Sequence, residues 1–282
     1  SIRVWDINTG NCIKKLEGHS DAVLSIWKEE NYLVSASADT TIRVWDDNSI
    51  HNMKTLKGHQ NEVLGISIAN NKLISTGKES LLKIWDLESL EFIKEIDLGY
   101  SGWIWGLASE DDIEITSSDK GVYYVIDLNS GGYLRKLKKH DGSTYRVALK
   151  NGIAVTTSWD NTAIIWDINT GNIIKILKGH TYAVYSAFIA PNEKILTAGS
   201  DATIRVWEKS GKCLKVLKGH NDEIFHIDYE DGIIVSASAD KTIRAFDIDS
   251  GKTKRIFTGH KDQVLTVQIK NGIIFSGSLD KT

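Results

Sequence analysis

Residues 18–46 read GHSDAVLSIWKEENYLVSASADTTIRVWD, a stretch that opens with a Gly-His pair and closes with a Trp-Asp pair. Between the pairs, residues 23–27, 32–37 and 41–45 alternate apolar and polar side chains and are rich in β-branched residues. Alternation with a period of two is typical of half-buried strands, and turn residues such as Asn31 and Asp39 separate the runs. The stretch is therefore predicted to form three short strands joined by turns.

The rest of the chain repeats this stretch. The Gly-His pair recurs at Gly18-His19, Gly58-His59, Gly179-His180, Gly219-His220 and Gly259-His260, with weaker copies at Lys139-His140 and Gly99-Tyr100. The closing pair recurs as Trp5-Asp6, Trp45-Asp46, Trp85-Asp86, Ile126-Asp127, Trp166-Asp167, Trp207-Glu208 and Phe246-Asp247. Both columns have seven members, and successive members lie 39 to 41 residues apart. A period of about 40–45 residues is typical of propeller blades of four strands.

The pattern resembles the WD-repeat β-propeller family, and the likeness covers the whole chain. Phrases such as SIRVWDINTGNC at residues 1–12 and GSLDKT at residues 277–282 are most similar to the propellers of F-box/WD-repeat proteins. The resemblance implies an all-β fold, a seven-bladed β-propeller of four-stranded antiparallel blades, formed by residues 1–282 as a single domain. Packing blades against one another would bury apolar faces that a lone sheet exposes.

The two chain ends are predicted to complete one blade together. Residues 277–282 match the inner part of a repeat, and residues 1–5 continue it. Ser1 and Thr282 both fall in the column of Thr41. The last blade should therefore take inner strands from the C-terminus and outer strands from the N-terminus, which would close the ring.

Composition excludes several classes of function. The 34 basic and 37 acidic residues leave a formal charge of −3, which argues against a nucleic-acid partner. No apolar stretch approaches the roughly 20 residues that cross a bilayer, and no helical period suggests a membrane-surface segment. Cys12 and Cys213 occupy equivalent places in two repeats, so two buried, unpaired thiols and an intracellular (cytoplasmic or nuclear) location are expected. No spacing suggests a metal or cofactor site, and the propeller is expected to be monomeric.

Every regular repeat contains His, Ser or Thr, and Asp, a set that resembles a nucleophilic triad. The family resemblance implies instead a buried hydrogen-bond chain from Trp through the hydroxyl and His to Asp. The implied sets are His19, Ser35, Asp39 and Trp45; His59, Ser75, Glu79 and Trp85; His140, Thr156, Asp160 and Trp166; His180, Thr197, Asp201 and Trp207; His220, Ser236 and Asp240; and His260, Ser276, Asp280 and Trp5. Six copies indicate a scaffold rather than one catalytic site.

The ligand face of this family lies at the Gly-His and Asp turns, so the positions three and five after His and the one before Asp are the informative ones. Aromatic residues occupy these columns in the middle repeats: Trp103, Trp105, Tyr145, Trp159, Tyr185 and Phe225. Charged residues in the same columns are Lys78, Glu62 and Glu223. An exposed aromatic arc is typical of a binding site, whereas the alternative is that these rings plug the propeller interior.

The sequence therefore predicts a non-catalytic scaffold that binds a protein or peptide through this arc. One alternative is a substrate-receptor or ubiquitin-binding propeller of a ubiquitin-ligase complex. Another is a small-molecule-binding or enzymatic propeller that uses Trp105 and Tyr145. Capture of a phosphorylated peptide is disfavoured, because the three columns contain no Arg and a single Lys, Lys78.

Overall fold

Short antiparallel strands make up the regular secondary structure. The computed structural model describes residues 1–29, 31–46, 51–99 and 102–280. Within those ranges, 28 strands form seven four-stranded sheets. The fold class is the predicted one, an all-β, seven-bladed β-propeller.

The seven sheets take their strands in order along the chain, except where the ends meet. The orders are β2-β1-β28-β27, β3-β4-β5-β6, β10-β9-β8-β7, β11-β12-β13-β14, β15-β16-β17-β18, β19-β20-β21-β22 and β23-β24-β25-β26. The strands of the first half are β1 Ile2–Asp6, β2 Cys12–Leu16, β3 Val23–Lys28, β4 Tyr32–Ser37, β5 Ile42–Asp46, β6 Asn52–Leu56, β7 Val63–Ala69, β8 Lys72–Gly77, β9 Leu81–Asp86, β10 Phe92–Asp97, β11 Leu107–Glu110, β12 Ile113–Ser117, β13 Val122–Asp127 and β14 Tyr133–Lys138. The strands of the second half are β15 Thr144–Lys150, β16 Ile153–Ser158, β17 Thr162–Asp167, β18 Ile173–Lys178, β19 Val184–Ile189, β20 Ile195–Gly199, β21 Ile204–Trp207, β22 Cys213–Leu217, β23 Ile224–Glu230, β24 Ile233–Ser238, β25 Ile243–Asp247, β26 Thr253–Phe257, β27 Val264–Lys270 and β28 Ile273–Ser278.

The strands predicted from residues 18–46 are confirmed to within one residue at each end by β3, β4 and β5. In β5, Ile42 and Val44 are fully buried and Arg43 between them is half-buried, as the alternating pattern predicts. Burying a side chain of this size stabilises the fold by about 1.5–3 kcal/mol. Because this alternation of buried and half-buried side chains recurs in each repeat, many short strands together form a hydrophobic core.

The predicted pairing of the chain ends is confirmed. β1 runs antiparallel to β28, with Ile2 opposite Gly277 and Asp6 opposite Ile273. The Ser1 hydroxyl donates to Asp280 at 2.8 Å, as the Thr41 hydroxyl donates to Asp39 at 2.6 Å. Ser1 therefore occupies the column predicted for it, and Thr282, predicted for the same column, lies outside the described residues.

The chain forms two compact units, and the first contains Ser1–Val63, Ala198–Arg205 and Lys215–Thr282. Side chains of β23 reach the backbone of β27 in this unit. His226 Nδ1 accepts a hydrogen bond from the backbone N–H of Val267, and an Asp228 carboxylate oxygen accepts one from Ile269. The Glu230 carboxylate accepts hydrogen bonds from the backbone N–H groups of Asn271 and Gly272. Alternate residues of β23 thus bind the backbone of β27 and of the turn after it in the neighbouring blade.

The second unit contains Leu64–Thr197 and Val206–Leu214. The Tyr123 ring is fully buried, and its hydroxyl donates to Thr157 O at 2.7 Å and accepts from Thr157 N at 3.0 Å. Glu110 likewise accepts hydrogen bonds from the backbone N–H groups of Asn151 and Gly152. These contacts join the β11–β14 sheet to the β15–β18 sheet, and the two repeats that form them contain four of the nine predicted site residues.

The expectations for the cysteines, for membrane-spanning segments and for a single domain have different outcomes. Cys12 and Cys213 are free but exposed, so the prediction that both are buried is wrong. They begin the outer strands β2 and β22, whose first residues face solvent. The described part of the chain contains no helix long and apolar enough to cross a membrane. A single domain over residues 1–282 stays a prediction.

Candidate functional site

The His, Ser or Thr, and Asp sets form the predicted hydrogen-bond chain. In the first repeat, Trp45 Nε1 donates to Ser35 Oγ at 2.8 Å, His19 Nε2 lies 2.8 Å from the same oxygen, and His19 Nδ1 lies 2.8 Å from Asp39 Oδ2. Equivalent contacts of 2.6–2.9 Å recur in three further sets, with Phe246 in place of the indole in one of them: His140, Thr156, Asp160 and Trp166; His220, Ser236 and Asp240; and His260, Ser276, Asp280 and Trp5. The indole donor therefore orients the hydroxyl towards His Nε2.

The environment of this chain is that of a structural network. Ser35 is 0 % exposed, so its hydroxyl cannot meet a substrate. Burial opposes ionisation of Asp39, but hydrogen bonds from His19 and Thr41 outweigh it, and the pKa of the carboxyl lies well below its ordinary value. Burial lowers the pKa of His220 and of His260 despite their Asp partners. An imidazole fixed between a hydroxyl and a carboxylate, repeated through the chain, holds turns together rather than activating a nucleophile.

The glycine of the Gly-His pair makes room for an arginine. Arg43 lies with its guanidinium carbon 5.9 Å from the Trp45 ring centroid. A Cβ on Gly18, which has φ of 150°, would lie 2.6 Å from an Arg43 terminal nitrogen. Arg43 is half-buried and its Nε has no hydrogen-bond partner within the described ranges, so it packs against the network instead of facing outward as a surface charge.

The third repeat has replaced the network by apolar packing. Ile115 and Ile126 stand in the hydroxyl and indole columns, and both are fully buried. Tyr100, predicted to mark the lost His, lies outside the described residues. Buried Tyr123 supplies the hydrogen bonds that hold this blade, and burial raises the pKa of its phenol. The hydroxyl and indole columns are both apolar in this repeat, whereas the repeat with Phe246 keeps its His, Ser and Asp contacts.

A β-bulge orients the column five residues after His. The register of β15 against β16 shifts between Thr144 and Val147, so Tyr145 and Arg146 both lie opposite Thr157. The register of β23 against β24 shifts in the same way between Ile224 and His226, and Phe225 lies in that bulge. Bulges re-aim side chains at the ends of strands. This is the local reason why residues of that column leave the strand alternation and reach the turn face.

Gly106 sets how closely the third and fourth blades approach. A Cβ at this position would lie 2.6 Å from Tyr145 O and 2.8 Å from Arg146 Cα, and backbone atoms cannot move aside for it. Gly106 follows Trp105 directly, and its backbone N–H is bound by Ser117 Oγ at 2.7 Å. The absence of a side chain therefore brings Trp105 against Tyr145.

Five predicted aromatic residues are brought together in the second unit, and they are named here the aromatic cluster: Trp103, Trp105, Tyr145, Trp159 and Tyr185. Tyr145 is its centre, with ring centroids 5.5 Å from Trp105, 6.1 Å from Trp159 in a stacked arrangement and 4.8 Å from Tyr185 edge to face. Trp103 extends the cluster, with its centroid 5.4 Å from that of Trp105. These distances are those of favourable aromatic pairs.

The ends of the aromatic cluster face solvent. Trp103 is 41 % exposed and Trp159 is 56 % exposed, whereas Trp105, Tyr145 and Tyr185 are half-buried. The Lys78 ammonium lies 4.5 Å from the Trp103 ring centroid, within cation–π range. Rings that served only to fill the interior would be covered, so the two exposed indoles favour a binding surface over a plug.

The remaining predicted residues belong to the first unit. Phe225, Glu62 and Glu223 are half-buried there. The Ser200 hydroxyl donates a hydrogen bond to the Glu223 carboxylate, so part of its charge is engaged within the protein. A role for these three residues in partner binding stays a prediction.

Three residues with unusual exposure or burial were not among those predicted from the sequence. Tyr182 is 63 % exposed and follows His180 by two positions, which lies outside the three columns of the predicted site. Arg146 lies one position beyond the column of Tyr145, and it is the only arginine six residues after His. Glu114 is fully buried where other repeats carry an apolar residue, and it accepts hydrogen bonds from Ser67 and Ser109. A charged residue in an otherwise apolar or small column is the signal that could have found the last two.

No group of His, Cys, Asp and Glu that could hold a metal ion occurs among the described residues. What the cluster offers chemically is a large aromatic surface with one cation, Lys78, over one of its rings.

Comparison with known proteins agrees with the repeat architecture. The family model WD40, described as "WD domain, G-beta repeat", matches residues 10–46, 51–86, 171–208 and 211–247, together just over half of the chain. A segment of 42 residues is 50 % identical to Mitochondrial division protein 1 of Neurospora crassa and 45 % identical to the protein of that name from Pyricularia oryzae. The segment covers 15 % of this chain and 6 % of each relative, about the length of one repeat. Residues 87–170, which lie between matched stretches, contain four of the five members of the aromatic cluster.

Proposed function

Because the chain belongs to the WD40 family of WD domain, G-beta repeats, we propose that it is a non-catalytic scaffold that binds a protein or peptide through the aromatic cluster. The observation that carries the proposal is the continuous set of ring contacts centred on Tyr145, which includes the two exposed indoles of Trp103 and Trp159. The cluster lies where the repeats depart from the family pattern. A fold supplies no function by itself, so the proposal rests on this site.

Aromatic clusters of this kind suit peptide recognition for physical reasons. Each ring offers a large contact area with few rotatable bonds, so little conformational entropy is lost on binding. The half-buried rings of Trp105 and Tyr145 hold one another in place, which leaves the exposed indoles of Trp103 and Trp159 pre-oriented. Central aromatic residues of this type dominate the binding free energy of protein interfaces.

The other predicted functions have less support. Proteins of this family are generally non-catalytic, and the His and Asp groups here are committed to buried networks. A ubiquitin-ligase partner, an intracellular location and a monomeric state stay predictions. The likeness to Mitochondrial division protein 1 spans one repeat, so it supports the repeat and not a role in that process.

Selection of displayed peptides tests the proposal. A random library of short peptides is selected on the wild-type chain, and the dissociation constants of the enriched peptides are measured by isothermal titration calorimetry. Trp103→Ala combined with Trp159→Ala is expected to weaken binding by at least about tenfold, because both indoles are exposed contact residues.

The matched control is Ile93→Ala with Leu134→Ala, which removes exposed apolar side chains from the outer strands β10 and β14. This pair should leave the dissociation constants unchanged. Equal affinity of wild type and the tryptophan double variant, or failure of the wild-type chain to enrich any peptide, would overturn the proposed function.

A further inference from the structure

Glu114 is a buried carboxyl at the contact between the β7–β10 sheet and the β11–β14 sheet. Its side chain is fully buried, and Oε2 accepts hydrogen bonds from the hydroxyls of Ser67 at 3.0 Å and Ser109 at 2.5 Å. Ser67 belongs to β7, whereas Ser109 belongs to β11. Glu114 Oε1 and the hydroxyl of Thr116 are buried without a hydrogen-bond partner within the described ranges. The carboxyl thus links two sheets through one oxygen, while its other oxygen has no donor to stabilise a negative charge.

The surroundings of Glu114 are apolar. Glu114 lies opposite Ile126 in the pairing of β12 with β13, and Ile126 packs in one core cluster with Ile74, Leu82 and Ile84 of the neighbouring sheet. Strand β7 contains no charged residue. Burial raises the pKa of Glu114 to about 7, and the serine hydrogen bonds oppose this shift only in part. An ionised carboxylate at this place would lack the water or the cation that a buried charge requires.

The charged and titratable groups on the strands that surround Glu114 do not neutralise it. In β8, β9, β11 and β13 these groups are Lys72, Lys83, Asp86, Glu110, Tyr124 and Asp127. The two lysines pair with other carboxylates at 3.5 and 2.7 Å, and the three carboxylates accept hydrogen bonds from backbone N–H groups of turns. Burial raises the pKa of the Tyr124 phenol, which therefore stays neutral. Arg146 and Lys150 belong to β15, which packs against the opposite face of β12 through Ile115.

The contact between β7 and β11 also positions part of the aromatic cluster. Gly65 lies two residues before Ser67 in β7, and a Cβ on Gly65 would lie 3.6 Å from the backbone oxygen of Trp105. The backbone N–H of Ile104 donates to Gly77 O, at the end of β8, at 3.2 Å. The hydrogen bond from Ser67 to the buried carboxyl therefore fastens the strand against which the Trp105 backbone packs.

We propose that Glu114 is a proton-controlled latch between these two sheets, which holds Trp105 in the binding geometry when the carboxyl is neutral and releases it when the carboxyl ionises. This inference rests on the proposed function and adds the regulation of the same site. Opening the contact exposes the carboxyl to water and returns its pKa towards 4.5 from about 7. Opening therefore releases a proton and becomes more favourable as the pH rises between these values, so the affinity for the partner falls over the same range.

Hydrogen exchange of the free chain measures the latch directly. The backbone N–H groups of Ile104 and Gly106 donate to Gly77 O and Ser117 Oγ. Their protection factors, corrected for the intrinsic exchange rate, are expected to fall by at least about tenfold between about pH 5 and pH 8. In Glu114→Gln, which has no ionisable group at this position, they should stay constant to within about threefold.

The dissociation constants of the enriched peptides measure the consequence for binding. Peptides without His, Asp or Glu are used, so that the ligand itself does not titrate. The dissociation constant of wild type should rise by at least about threefold between about pH 5 and pH 8, and that of Glu114→Gln should stay unchanged. Asp228→Asn is the matched control, because burial also raises the pKa of this carboxyl to about 7 but Asp228 belongs to the first unit. This variant should keep the pH dependence of wild type.

Thermal melting shows that each variant is folded, and Ser67→Ala supplies an independent test. Loss of its hydroxyl disfavours the charged form of Glu114, so the fall in protection should move to higher pH. The inference is overturned if Glu114→Gln keeps the wild-type pH dependence of protection or of affinity, if Asp228→Asn abolishes it, or if Ser67→Ala leaves its midpoint unchanged. The proposed function fails separately, when the tryptophan double variant binds as tightly as wild type at one fixed pH.

Discussion

The rings of Trp105 and Tyr145 lie with their centroids 5.5 Å apart and their planes tilted by 43°. This contact joins two successive blades, and it exists because Gly106 presents no side chain to the backbone at Tyr145 and Arg146. The geometry of the candidate site thus depends on one glycine outside the columns that define the repeat.

Gly106→Ala is expected to lower the free energy of unfolding by about 1–3 kcal/mol, because the added Cβ would lie 2.6 Å from a backbone oxygen. The separation of Trp105 from Tyr145 should also alter the near-ultraviolet circular dichroism of the aromatic residues. Urea denaturation measures the first effect. Gly132→Ala is the control, since its Cβ meets only the Ser130 hydroxyl at 3.3 Å. Equal destabilisation by both substitutions would contradict the argument.

Ser35→Ala should destabilise the protein more than Ser236→Ala. The first change leaves two buried groups without a partner, the Trp45 indole N–H and His19 Nε2. The second leaves only His220 Nε2, because Phe246 has no donor. Each orphaned group costs about 1–3 kcal/mol, so the difference in unfolding free energy should be at least about 1 kcal/mol. Chemical denaturation of the two variants measures it, and a larger loss for Ser236→Ala would refute the network.

Glu114 should make stability fall as the pH rises towards neutrality. Burial raises the pKa of Glu114 to about 7 from 4.5, against the hydrogen bonds from Ser109 and Ser67. Between these values the native state holds a proton that the unfolded state has released, so the free energy of unfolding decreases as pH increases. Burial raises the pKa of Asp228 to about 7 as well, so part of the slope remains when Glu114 is replaced.

Glu114→Gln is expected to raise the stability at pH above about 7 relative to wild type, by on the order of 1–3 kcal/mol, and to flatten the profile between about 4.5 and 7. Urea denaturation across that pH range measures the difference. Asp111→Asn, an exposed neighbour of β12, should leave the slope unchanged. An unaltered slope in Glu114→Gln would show that this carboxyl ionises normally.

Deletion of residues 1–17 should cause aggregation. It removes β1 and β2, which leaves β28 with an unpaired edge and the Asp280 carboxylate without Ser1. Unpaired strand edges associate with other chains. Size-exclusion chromatography with light scattering reports the outcome, and Ile13→Lys, which changes an exposed side chain of β2, should stay unaggregated. A deletion variant with wild-type size and melting temperature would disprove the role of this pairing.

The regular parts of the molecule could be predicted from the sequence with good accuracy. The strands around Ser35 and Trp45, and the pairing of Ile2 with Gly277, followed from the repeat alone. The exposure of Cys12 and Cys213 could not be predicted. The outer strands show only a weak alternation of apolar and polar residues, and no other strand covers the residues at their start. Arg146 and Glu114 depart from their columns, but the full burial of Glu114 became visible only in the tertiary structure.

The sequence by itself determined the strand order and the number of blades, because these follow from residue types that recur at a constant spacing, and its resemblance to a known family implied the membership of the hydrogen-bond networks. Only the tertiary structure decided which aromatic residues meet. Trp105, Tyr145 and Trp159 come from separate turns, and their contact depends on a bulge in β15 and on the close approach at Gly106. Such contacts are set by backbone distances between strands far apart along the chain, which no local pattern of residues encodes.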